Sequence, residues 1–273
     1  MVAFSILKTS ENRVREALTF SGGDFRKTVT INYGAVLVEH DEDRFLFDSG
    51  LGINVDAQYC CDMPRWKRPL LKYGPVDPVR RQLERHGIET VPRIVLSHSH
   101  WDHASGIADY PEAEIWIAAA EHAYLQHLPT SPLKRGATMP SQVHAPAIRW
   151  HVFDFEGAPY GPFEASLDLF GDGTAVLVPL RGHTPGSTGL MLTLTSGKRF
   201  LFCGDTVWNA SAIARSRPKT FVASIIADDD RAATLASIEL LRDLAVAEPA
   251  LTIVPAHDGA VQDRLGYFPA RIS

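Results

Sequence analysis

His98-Ser99-His100-Trp101-Asp102-His103 places four side chains that can bind a metal within six residues. Only 11 of the 273 residues of the chain are histidine, so a cluster of three is unusual. Imidazole and carboxylate groups are the ligands that zinc and its first-row neighbours prefer. The cluster therefore predicts a metal site.

The candidate metal ligands follow apolar runs that are typical of buried strands. Residues 91–97 are β-branched and apolar, and the cluster begins where this run ends. Similar runs precede three distant candidates: His183, Asp205 and His257. Ligand sites in α/β sheets gather at the carboxyl ends of strands, so we expect these groups to converge.

Seven candidate ligands are too many for one tetrahedral ion. They suffice for two divalent ions that share one bridging carboxylate, an arrangement typical of metal-assisted hydrolysis. Zinc is the expected metal, with iron and manganese as alternatives.

A further acidic residue follows the same rule. Arg44-Phe45-Leu46-Phe47 leads to Asp48, and Arg199-Phe200-Leu201-Phe202 leads through two residues to Asp205. The repeat indicates either an internal duplication or two short strands of similar composition, and both interpretations stay open.

Together these residues resemble the metallo-β-lactamase superfamily of hydrolases, over roughly residues 28–258. The resemblance implies an α/β fold, an αββα sandwich of two mixed β-sheets flanked by helices. It also implies that one metal binds His98, His100 and His183, that the second binds Asp102, His103 and His257, and that Asp205 bridges them. Asp48 is implied to support a ligand rather than to bind metal.

Within the family the chain looks most like the N-acyl homoserine lactonase branch. That branch often carries Tyr three residues after the bridging Asp, where this chain has Trp208. Antibiotic-hydrolysing members usually carry Cys in place of Asp205, and glyoxalase II enzymes add a C-terminal helical domain, for which 16 residues after His257 are too few.

The implied activity is cleavage of a small ester or lactone by a metal-bound hydroxide. Asp102 or a metal-bound water is the candidate proton donor, and Trp208 is a candidate catalytic residue. A thioesterase, a phosphodiesterase and a mononuclear iron oxygenase are the alternatives. The phosphodiesterase would need cations near the site, for which Lys67, Arg68 and Arg181 are candidates.

Composition limits the classes of partner and the compartment that we expect for this chain. The formal net charge is -5 and no long basic run occurs, so we expect no nucleic-acid partner. No apolar run reaches the ~20 residues that span a bilayer, and the N-terminus lacks a signal-peptide pattern. Three cysteines make a poor disulfide framework, which favours the cytoplasm. We expect a small-molecule substrate with an apolar portion, and a homodimer stays open.

We expect one domain over residues 1–273. Irregular segments at 51–76, 128–147 and 208–229 are expected to line the pocket, the first as a lid or a subunit contact. Helices are expected near 77–86, 102–109 and 230–247, and the cluster Asp228-Asp229-Asp230 suits the start of the last one.

Overall fold

The fold is built on two β-sheets. The structure, a computed structural model, describes residues 1–41 and 43–273. Within these residues the first sheet has six strands, ordered β1 to β6. Neighbours pair antiparallel from β1 to β3 and parallel from β3 to β6. The strands are β1 (Val2–Arg15), β2 (Thr28–His40), β3 (Asp43–Phe47), β4 (Arg93–Val95), β5 (Glu114–Ala118) and β6 (Arg149–Phe153).

The second sheet has five strands in the described part of the chain, in the order β11-β10-β9-β8-β7. It is antiparallel except for the parallel pair β10 and β11, so both sheets are mixed. The strands are β7 (Leu167–Asp168), β8 (Ala175–Pro179), β9 (Thr188–Thr193), β10 (Arg199–Phe202) and β11 (Thr252–Val254).

The repeated Arg-Phe-Leu-Phe runs form β3 and β10 and have matching surroundings. Because side chains alternate across a strand, Phe45 and Phe47 share one buried core with Phe200 and Phe202. The intervening Leu46 and Leu201 face two other clusters, on the outer sides of the two sheets. This matching supports the duplication hypothesis without excluding chance similarity.

Helices cover the outer faces, which confirms the predicted αββα sandwich. α7 buries Ile238, Leu241 and Leu244 against the second sheet, and α2 buries Val79 and Leu83 against the first. The helices are α1 (Val55–Asp62), α2 (Val79–Glu84), α3 (Trp101–Ala104), α4 (Ala119–Leu125), α5 (Pro140–Val143), α6 (Phe221–Ala227), α7 (Arg231–Ala247) and α8 (Gly259–Leu265), with 3-10 helices at Glu16–Leu18, Ser105–Asp109 and Ala210–Arg215.

Several segments differ from the sequence-based expectation. The helix expected at 102–109 is α3 followed by a 3-10 turn. There Gly106 passes so close to Ser49 that a Cβ atom would lie 2.6 Å from the Ser49 carbonyl oxygen. The three segments expected to be irregular contain α1, α5 and α6. These helices have four to eight residues, too few to show a clear helical period in sequence.

Across the described ranges, no helix is both long and apolar enough to cross a bilayer.

Candidate metal centre

All seven candidate ligands lie beyond the carboxyl ends of strands from the two sheets and come together there. The ligand atoms of His98, His100 and His183 lie within 4.8 Å of one another, and so do those of Asp102, His103 and His257. Three of the seven residues follow β8, β10 and β11 of the second sheet, whereas the 98–103 cluster follows β4 of the first.

Asp205 lies between the two groups. Its Oδ1 is 3.2 Å from His103 Nε2, and its Oδ2 is 3.1 Å from His257 Nε2 and 3.5 Å from His183 Nε2. One carboxylate therefore touches ligands of both groups, as a bridging ligand must.

Burial and charge act differently on the two groups of histidines. Burial, together with neighbouring imidazoles, holds the pKa values of His98 and His100 well below the usual range. These rings stay neutral, as metal ligands must be. Burial alone would lower the pKa of His257 as well, but Asp205 and Asp102 raise it to about 10. A cation bound by His257 would therefore displace a proton from this ring.

The donor set fits divalent cations. His103 Nε2 and Asp205 Oδ1 are buried, yet neither has a hydrogen-bond partner within the described ranges. An unpaired buried polar atom is costly, and a shared cation would satisfy both. The imidazole and carboxylate donors are those that zinc, iron and manganese accept.

Asp48 supports the 98–103 cluster. Its Oδ2 lies 2.8 Å from His103 Nδ1, and it accepts hydrogen bonds from the Ser97 backbone N–H at Oδ1 and the Ser97 hydroxyl at Oδ2. This carboxylate orients the His103 ring so that Nε2 faces Asp205. Its contact therefore agrees with a supporting role.

A buried ion pair behind His183 was not anticipated. Asp228 Oδ1 lies 2.9 Å from His183 Nδ1 and accepts a hydrogen bond from Lys219 Nζ at 2.7 Å. Lys219 also donates to the Asp205 backbone carbonyl at 2.6 Å. In the acidic cluster expected to start a helix, Asp230 caps α7 whereas Asp228 holds a ligand. Nothing in the sequence separates these two roles.

Glu121 is a second residue that sequence reasoning missed. This buried carboxylate on α4 accepts hydrogen bonds from the Ser99 backbone and hydroxyl and from the Gly186 N–H. It ties the loop of the 98–103 cluster to the loop that carries His183. A Cβ atom on Gly186 would lie 2.3 Å from the Glu121 nitrogen, so this approach requires glycine.

A cavity of about 240 Å³ opens over the ligands. Its walls come from all three segments expected to line a pocket, although 128–147 contributes only Ala137 within the described ranges. The segments 51–76 and 208–229 contribute Lys67, Leu70, Leu71, Trp208, Thr220, Val222, Ala223, Ile226 and Ala227.

Trp208 does not point a free donor into this cavity. Its indole Nε1 donates to Asp205 Oδ2 at 2.8 Å. Tyr33 is the only tyrosine that the described structure places in the cavity wall, and its hydroxyl donates to the Lys72 carbonyl. Neither side chain has a free donor for a substrate carbonyl.

This fold and ligand arrangement define a metallo-β-lactamase-type metal centre. A family model of the metallo-beta-lactamase superfamily matches residues 34–257, and the chain belongs to that superfamily.

Curated relatives include a probable metallo-hydrolase of Mycobacterium tuberculosis, 34% identical over 186 residues. That match covers 65% of this chain but only 57% of the relative. The N-acyl homoserine lactonase AttM of Azorhizobium caulinodans is 26% identical and is matched over 81% of this chain and 80% of its own length.

Solved structures share the fold. An N-acyl homoserine lactone hydrolase with N-hexanoyl-L-homoserine at its catalytic metal centre has a TM-score of 0.77 at 18% identity, covering 99% of this chain and 98% of its own. The dizinc lactonase AidC has a TM-score of 0.65 at 17% identity, covering 94% and 87%. These likenesses agree with the lactonase-like branch that the sequence suggested.

Proposed function

We propose that the chain is a binuclear metal-dependent hydrolase of lactone or ester bonds. The observation that carries the proposal is the contact of Asp205 with ligands of both three-residue groups. Zinc is the expected metal, in line with a dizinc relative of the same fold.

In this proposal His98, His100 and His183 hold one ion, Asp102, His103 and His257 hold the other, and Asp205 bridges. Two such ions supply an activated water at neutral pH and stabilise negative charge on the reacting carbonyl. Hydrogen bonds within the chain orient the ligand side chains. His257, for example, donates from Nδ1 to the Asn32 carbonyl at 2.6 Å, which leaves Nε2 for the metal.

Asp102 is the proposed proton carrier. Its carboxylate lines the cavity, and its Oδ2 lies 3.3 Å from His257 Nε2. A carboxylate so placed can take up the proton that the attacking water loses and then pass it to the departing alkoxide. Trp208 acts indirectly, by donating to Asp205 and so fixing the orientation of the bridge.

The proposed substrate is a small lactone or ester with an apolar portion. Side chains that line the cavity and are exposed at its rim include Leu18, Leu70 and Val222. Such a wall suits an aliphatic chain. The AttM relatives are named as lactonases of N-acyl homoserine lactones, which combine a lactone with an acyl chain.

The test is turnover by zinc-loaded protein of acyl homoserine lactones, simple lactones, aryl esters, thioesters and phosphodiesters. Asp205→Asn is the inactivated variant, and Asp243→Asn, on the exposed side of α7, is the matched control. Metal-dependent lactone or ester turnover that only Asp205→Asn abolishes supports the proposal.

Three other outcomes overturn it. Turnover confined to thioesters or to phosphodiesters replaces the substrate assignment with one of those alternatives. Purified protein with a single iron and no hydrolysis points to the iron oxygenase. Equal activity of the Asp205→Asn variant removes the bridging role.

A further inference from the structure

Lys67 is a buried cation without a partner. Its side chain is 0% exposed, and its Nζ has no hydrogen-bond acceptor in the described part of the chain. No carboxylate of the described residues forms an ion pair with it, and the centre of the Trp66 ring lies 5.6 Å from Nζ. Burying such a group unpaired is costly, so its position calls for a reason.

The location of Lys67 supplies one. It lines the same cavity as His100, Asp102 and Asp205, next to Leu70 and Leu71. The backbone fixes it there, because its N–H donates to the Pro64 carbonyl and its own carbonyl accepts from the N–H groups of Leu70 and Leu71. Burial also lowers the pKa of Lys67 to about 8, which still leaves the amine mostly charged at neutral pH.

The other cations near the site are already engaged or lie elsewhere. Lys219 is bonded to Asp228, and Arg68 donates to the carbonyls of Cys60 and Met63. Arg181 is exposed and does not line the cavity. Among the described lysines and arginines, Lys67 is therefore the one that lines the cavity, and its Nζ has no hydrogen-bond partner.

We propose that Lys67 binds a carboxylate carried by the substrate away from the bond that is cleaved. The substrate class is then a lactone or ester with an apolar spacer and an anionic end. The spacer would lie against the leucines beside Lys67, and the carboxylate would receive a charge-assisted hydrogen bond from Nζ. This inference rests on the proposed hydrolase function and narrows its substrate.

A kinetic experiment compares matched esters. Zinc-loaded protein is assayed with the monomethyl esters of succinate, adipate and suberate and with methyl butanoate, hexanoate and octanoate. We expect a preference in kcat/KM for at least one anionic ester over its neutral partner. Lys67→Met should reduce that preference about ten-fold or more, and Lys67→Arg should restore part of it. Lys72→Met, the same change at an exposed position of the same segment, is the control and should keep it.

A binding experiment separates this inference from the hydrolase proposal. Calorimetric titration of the zinc-loaded protein with adipate and with hexanoate requires no turnover. We expect Lys67→Met to weaken the binding of adipate about ten-fold more than the binding of hexanoate, and Lys72→Met to change neither. This result would show that Lys67 binds the carboxylate even if no ester is hydrolysed. If neither binding nor the ester preference depends on Lys67, the inference is wrong, whether or not the protein is a hydrolase.

Discussion

The indole Nε1 of Trp208 donates a hydrogen bond to Oδ2 of Asp205, the oxygen that also faces His257 and His183. Trp208, at the position where related lactonases often carry tyrosine, thus lines the cavity while its N–H is bonded to Asp205. A hydrogen bond to a charged group contributes about 1.5–3 kcal/mol.

Trp208→Phe removes this donor and keeps an aromatic ring. We expect kcat to fall about ten-fold or more, because the bridging carboxylate loses its fixed orientation. Metal content should be unchanged. Steady-state kinetics and metal analysis test this, with Trp150→Phe, on the edge strand β6 and outside the cavity wall, as the control. A Trp208→Phe enzyme with full kcat would show that the hydrogen bond is incidental.

Asp205→Asn keeps the shape of the bridge and removes its charge. Replacing a residue that only supports a ligand lowers metal affinity about 10–100-fold. Because Asp205 is proposed to bind both ions directly, we expect the Asp205→Asn variant to lose more than this in its affinity for at least one zinc ion. Metal analysis after dialysis at fixed free zinc gives the number of zinc ions bound per chain. Two tightly held ions in this variant would rule out a bridging role.

Asp48→Asn tests the support of His103. Asp48 has a φ of +64°, a conformation that asparagine tolerates better than most residues. The backbone should therefore keep its shape while the carboxylate that faces His103 Nδ1 is lost. We expect zinc affinity to fall about 10–100-fold with little change in the urea midpoint of the zinc-free protein. A large drop in that midpoint would assign Asp48 to folding instead.

The Lys219 and Asp228 pair should show strong coupling. Both side chains are 1% exposed, so removing one partner leaves a buried charge without its opposite charge. Lys219→Met or Asp228→Leu should each destabilise the protein by about 3–5 kcal/mol, and the double variant should lose less than their sum. Urea unfolding of the four proteins gives the coupling energy; strict additivity would contradict the pair.

Lys67→Met should stabilise the protein. The folded pKa of Lys67 is about 8, below the usual value of about 10.4. Protonation thus disfavours the folded state, and below pH 8 the whole cost is present; it diminishes as the pH rises from 8 towards 10.4. We expect Lys67→Met to raise the free energy of unfolding by roughly 1–3 kcal/mol at pH 7 and by less at pH 10. Urea unfolding at both pH values measures the gain, and a loss of stability at pH 7 would refute it.

The sequence predicted that the seven candidate ligands would converge, because each one follows an apolar run and strand ends meet at one edge of a sheet. The structure brings these side chains together. The sequence revealed Asp48 by the same rule. Lys219, Asp228 and Glu121 escaped because their partners are distant in sequence and no local pattern marks them. Glu121, for instance, lies in the first turn of α4, more than 20 residues from Ser99 and more than 60 from Gly186, and contacts both only in the folded chain. Short helices in the cavity walls were missed because one or two turns show too little periodicity.

The seven ligands are divided between two sheets. Four follow β4 in one layer, and His183, Asp205 and His257 follow strands of the other. Ions held by this set would stabilise the packing of the two sheets against each other, because separating the sheets would also pull the ligands apart. Cohesion of the two sheets and metal binding are then one cooperative property.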